Sequence, residues 1–217
     1  MPPFVKPTRS DIQLLRLLEA KIEDQETKQA LHRVLSLIDE ELASSLIIEV
    51  KAGTPNNEKR TNTRRRVSIE IRYQNTAVPL HFGSRDATMV YICALLKRKA
   101  GLQLKRDDFR CFFTKSGLTI KRSEAVAWMN RVYNYVYPLC SVNFDDWYAK
   151  LRQDKGHRIS QGKTVSNRAI KEMLKDMPQF VVDNCMISSS RDDSGHIVFE
   201  IPIDPQCIVL PAELERL

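Results

Sequence analysis

His157-Arg-Ile-Ser-Gln-Gly-Lys-Thr-Val-Ser-Asn-Arg-Ala-Ile-Lys-Glu-Met-Leu-Lys-Asp-Met177 carries apolar side chains at helical spacing, with basic side chains between them. The spacing predicts a helix over 164–176 that turns Val165, Ala169, Ile170, Met173 and Leu174 inward. Ser166, Asn167, Lys171 and Lys175 then face outward, and Arg168 sits at the boundary. Two β-prone runs flank Ser190-Arg-Asp-Asp-Ser-Gly195, which predicts an antiparallel hairpin over about 185–202. The cationic face of such a helix either meets an acidic partner or is a solvated surface, since exposed Lys and Arg are common on any helix.

Upstream, Leu46-Ile-Ile-Glu-Val50, Val67-Ser-Ile-Glu-Ile-Arg-Tyr73 and Ala77-Val-Pro-Leu-His-Phe82 read as an antiparallel meander of three strands. Pro79 puts the third at an edge, because proline has no N–H to give to a ladder. Ser84 caps a helix whose inner face holds Ala87, Val90, Tyr91, Ala94 and Leu95, and Gly101 ends it. Ser123 caps another, with Ala127, Trp128, Val132, Tyr135 and Val136 inward, and Asn143–Leu151 is a short amphipathic helix. Before the strands, two leucine-rich stripes mark a helical arm over residues 1–45. Asp24-Gln-Glu-Thr27 either separates two helices or lies inside one. The stripes pack on the sheet or form a dimerisation face. The near absence of a linker before Leu46 favours the sheet.

Composition narrows the function. The chain has 217 residues, 42% hydrophobic and 28% charged, enough to bury a core. A net charge of +7 favours acidic partners such as nucleic acid. The five cysteines are odd in number and widely spaced, which fits free thiols in a reducing compartment better than a disulfide framework. The four histidines show no zinc spacing, and no cofactor is expected. No apolar leader or membrane-length run is present, so a cytoplasmic location without a membrane partner is expected. No Ser/His/Asp or Cys/His grouping supports catalysis, and the chain reads as a non-enzyme. Gly162-Lys-Thr164 resembles the end of a phosphate-binding loop, but such a loop needs glycine where His157 stands.

Leu80-His-Phe-Gly-Ser-Arg-Asp-Ala-Thr-Met-Val-Tyr-Ile-Cys-Ala-Leu-Leu96 and Gly101-Leu-Gln-Leu-Lys105 resemble the strand, first helix and turn of OmpR-type winged-helix effector domains. In that resemblance Val165–Leu174 stands as the recognition helix and Ile197-Val-Phe-Glu-Ile201 as the returning wing strand. The chain is also similar to uncharacterised bacterial proteins that end in a Leu-Pro-x-Glu-Leu tail, here Leu210–Leu214. The likeness covers about residues 46 to 214, and the segment of about 106–160 is long for a compact winged helix. The fold class is therefore α+β: an arm over 1–45, then a winged-helix-like body over 46–217 with a small antiparallel sheet, an insertion and a C-terminal hairpin.

The resemblance implies DNA binding in transcription regulation. Lys163, Arg168, Lys171 and Lys175 would neutralise phosphates, and Ser166, Asn167 and Arg168 would reach base edges. The run Arg64-Arg65-Arg66 closes the densest positive cluster and reads either as an arm that tracks a DNA backbone or as a solvated loop. Lys97-Arg-Lys99 sits where cations suit a helix C-terminus. The aromatic series from Trp128 to Tyr148 stacks on bases or, as core packing favours, on itself. A protein-interaction module on the same frame, without DNA, is the alternative function.

Overall fold

A computed structural model describes residues 9–44, 46–53, 66–105, 124–153 and 157–217. Among them the protein is α+β, with eight α-helices and two sheets. The chain divides between Ser45 and Leu46 into two compact units.

The first unit is a helical hairpin of α1 (Arg9–Lys21) and α2 (Gln25–Ser44). The Asp24 carboxylate accepts the Thr27 N–H at 2.8 Å, a side-chain cap that starts a second helix instead of extending the first. His32 Nδ1 meets Glu19 Oε1 at 2.8 Å between the two helices. Leu35 is buried, whereas Leu14, Leu17, Leu18 and Val34 are exposed.

In the second unit β1 (Leu46–Ala52), β2 (Val67–Tyr73) and β3 (Thr76–Leu80) form the expected meander. A fourth strand, β7 (Ile208–Val209), joins β1 in parallel, so the sheet is mixed, with order β3-β2-β1-β7 and Pro79 on the edge strand. Alternation places Ile48, Val50, Ile69 and Ile71 in the core. They share it with α3 (Arg85–Lys99), in which every side chain from Ala87 to Leu96 is buried. A helix buried all round is a central helix. The Ser84 hydroxyl caps it by accepting the Ala87 N–H, and Gly101 follows its end at a φ of +67°, where an L side chain is strained.

A second sheet, in the order β4-β6-β5, is made by β4 (Leu104–Lys105), β5 (Ser188–Arg191) and β6 (Ile197–Glu200). The hairpin of β5 and β6 thus forms within the expected span. The remaining helices are α4 (Glu124–Val136), α5 (Phe144–Gln153), α6 (His157–Met173), α7 (Gln179–Cys185) and α8 (Ala212–Glu215). Two boundaries differ from expectation. The helix predicted over 164–176 begins at His157. A separate helix, α7, then stands between it and the hairpin. In α4, Met129 and Tyr133 are buried, and Trp128 and Tyr135 are only partly covered. The aromatic series packs on itself: Tyr133 stacks on Trp147 at 5.0 Å and Phe144 on Tyr148 at 5.3 Å between ring centroids. Ser123 lies outside the described residues.

Candidate nucleic-acid interface

Helix α6 is seated by its smallest residues. A Cβ at Gly162 would lie 3.1 Å from the backbone C and O of Asp86 and from Val90 Cγ2 on α3. One turn later Ser166 is fully buried, and its hydroxyl lies 3.0 Å and 2.9 Å from the carbonyl oxygens of Gly162 and Lys163. Ile170 and Leu174, also fully buried, continue the same line. The inward stripe therefore runs 162, 166, 170, 174, small where the helices touch and large beyond. This corrects two expectations. Ser166 does not face outward, because the close approach to α3 requires a small side chain there. Val165 does not face inward; it is 40% exposed.

Asn167 is also corrected. Its Nδ2 donates to the Ile187 carbonyl at 2.8 Å, and its Oδ1 accepts the Ile187 N–H at 2.8 Å. Both ends of the amide are engaged by the Ile187 backbone, which fixes the side chain against the hairpin instead of presenting it outward. Lys163 is drawn to the hairpin: its Nζ donates to Ser189 Oγ at 2.8 Å and sits 5.9 Å from the Phe199 ring centroid. Burial lowers its pKa.

Arg168, Lys171 and Lys175 remain. All three are exposed, and none makes an ion pair among the described residues. They share a strip of α6 and its following turn with Ser160, Gln161, Thr164, Val165 and Glu172, all exposed. At 100° per residue these positions cover about a third of the helix circumference. The earlier start of the helix adds Ser160, Gln161 and Thr164 to the candidate face. The sequence signal for the correct phase was Gly162, a residue that costs about 1 kcal/mol inside a helix and is kept where backbones must approach.

The described cations of the other basic clusters are engaged in the fold. Arg66 donates its N–H to the Val136 carbonyl and accepts the Gly53 N–H, each at 2.8 Å, while its guanidinium lies 4.6 Å from the Tyr135 ring centroid. Arg64 and Arg65 lie outside the described residues. Lys97 sits over Trp128. Arg98 donates to the carbonyls of Ile203 and Pro202 and to the Glu200 carboxylate. Lys99 donates to the Pro205 carbonyl.

The hairpin turn carries less free negative charge than its sequence suggests. Asp192 accepts Lys105 Nζ and the N–H groups of Ser194 and His196. The lysine hydrogen bond, followed by the His196 N–H and the two nearby cations, holds its carboxyl down at about 2 against burial. Helix α7, directly before the hairpin, has no Lys or Arg. Its exposed Gln179 and Asp183 bond to each other at 2.9 Å, and Asn184 Nδ2 donates to the Phe180 carbonyl.

No group of three or more His, Cys, Asp or Glu side chains that could hold a metal ion occurs among the described residues. Cys185 is fully buried, and burial pushes its thiol far above the ordinary range, which removes it as a nucleophile. No helix among the described residues is long and apolar enough to cross a membrane. Comparison of the chain with family models, with curated proteins and with solved structures finds no match.

Proposed function

We propose that the second unit is a winged-helix-type domain that binds duplex DNA in a transcription-regulatory role, with the outer strip of α6 as its contact surface. The observation that carries this reading is the row of exposed cations Arg168, Lys171 and Lys175, which make no ion pair among the described residues. Among the described residues, most other cations of the unit are held by carboxylates, carbonyls, hydroxyls or rings. Cations kept free on one strip are available to phosphates, and each phosphate neutralised releases condensed counterions. The chain order also supports it: α3 and β4, then, after the inserted α4 and α5, α6 and α7, then a hairpin whose returning strand pairs with β4. Glu172 and Asp176 lower the net charge of the strip.

Anisotropy titration of the full chain against labelled duplexes tests this. Lys171→Glu with Lys175→Glu should lower affinity at least tenfold at low salt, for every sequence, with the melting temperature unchanged. Unchanged affinity in the folded double variant would remove α6 as the contact surface.

Helix α7 favours a second reading, a protein-docking module on the same frame. A winged helix places its reading side chains on the helix before the wing, and here that helix is acidic and self-paired. A hydrophobic docking surface should keep its partner as salt rises, whereas DNA should dissociate steeply.

A further inference from the structure

Resting on the DNA reading, we infer that the strip of α6 is divided along its length: Gln161 and Val165, with Arg168 at the junction, read bases, while Lys171 and Lys175 hold the flanking phosphates. The strip changes chemistry at Arg168. On its N-terminal side the exposed side chains are neutral, Ser160, Gln161, Thr164 and Val165. On its C-terminal side they are charged. Val165 is the telling residue. It is an aliphatic side chain 40% exposed on an otherwise polar strip. An exposed aliphatic group beside an amide and a guanidinium is a set that fits base edges. The amide pairs with adenine, the guanidinium with guanine, and the methyl groups meet thymine methyl.

The dimensions agree. Gln161 and Arg168 are seven residues apart, about 10 Å along the helix axis. The major groove of B-form DNA is about 12 Å wide. With the helix axis crossing the groove, the neutral segment spans about its width, and Lys171 and Lys175 lie beyond it, at the backbone. The alternative readers are already occupied. Asn167 is bonded to Ile187, Ser166 is buried, and on α7 Gln179 is bonded to Asp183. Thr164 donates its hydroxyl to the Ser160 carbonyl, so it contributes mainly its methyl group.

Selection from randomised duplexes with the full-length protein, followed by anisotropy on the enriched and a scrambled duplex, tests the division. The wild type should prefer the enriched duplex at least tenfold. Gln161→Ala with Val165→Ala should reduce that preference to less than threefold, while leaving the salt dependence and the scrambled-duplex affinity unchanged. Lys171→Gln with Lys175→Gln should do the reverse: affinity for both duplexes falls together, the preference stays, and the log–log salt slope becomes shallower by about 2. Preference that survives loss of Gln161 and Val165, or salt-dependent binding without any preference, overturns the division but leaves the DNA reading standing. No binding to any duplex at low salt overturns both.

Discussion

Asn167 and Ile187 are joined by two hydrogen bonds of 2.8 Å, in which the side-chain amide of one mimics the strand partner of the other. Ile187 is the last residue before β5, and its side chain is buried. A helix thereby supplies the ladder contacts that a neighbouring strand would give, and it fixes where the hairpin leaves the helical core. Asn167→Ala should leave the N–H and C=O of Ile187 unpaired and cost about 2–4 kcal/mol. Asn167→Asp, which keeps the acceptor, should cost less. Urea denaturation checks the order, and faster exchange of the Ile187 amide in the alanine variant checks the cause.

Gly162→Ala should destabilise the protein, although alanine is the better helix former by about 1 kcal/mol. The new methyl group would press on the Asp86 backbone at 3.1 Å, and backbone inside a central helix does not yield cheaply. Overpacking of this kind costs about 1–3 kcal/mol. A rise in denaturation midpoint would contradict the close α3–α6 contact.

The Lys105–Asp192 bond predicts an acid response confined to the hairpin. The Asp192 carboxyl is depressed to about 2, so its stabilising effect is full above the ordinary carboxyl value of about 4. That effect is lost as pH falls through about 2. Lys105→Ala should move the Asp192 titration upward toward the ordinary value, read by carboxyl-carbon NMR. No movement would mean that the turn N–H groups alone set the depression.

Arg98→Lys should be nearly as damaging as Arg98→Ala. The guanidinium engages two carbonyls and a carboxylate with three separate nitrogens, and an ammonium cannot reproduce that fork. Each variant should lower the melting temperature by several degrees. A lysine variant as stable as the wild type would show that charge alone suffices.

Much of the fold was legible because its signals are local. Alternation gave β1 and β2, Pro79 gave the edge, Ser84 and Gly101 bounded α3, and Ser194-Gly195 gave the hairpin turn. Helix α7 was not legible, because Phe180-Val-Val182 has strand-like side chains and only packing on the core makes it helical. Strand β7 is two residues long and has no pattern of its own. The candidate site was misread for a different reason. Ranking α6 by hydrophobicity turned Val165 inward and Ser166 outward, whereas the distance between helix axes favours size over polarity. The exposed cations Arg168, Lys171 and Lys175 were legible; the engagement of Asn167, Lys163 and Arg66 depends on partners 13 to 70 residues away.

The parallel pairing of β1 with β7 joins Ile48 to Ile208, and Arg131 then binds the carbonyl of the last residue, Leu217. During synthesis, the first strand of this unit must therefore wait until Ile208 and Val209 are made before its second edge is closed. At translation speeds of about 5–20 residues per second, the intervening 160 residues keep that edge open for about 8–30 s. An open strand edge is a template for pairing with other chains. The nascent protein is thus exposed to misassembly until that pairing forms, and a chain lacking Ile208 and Val209 would keep the exposure permanently.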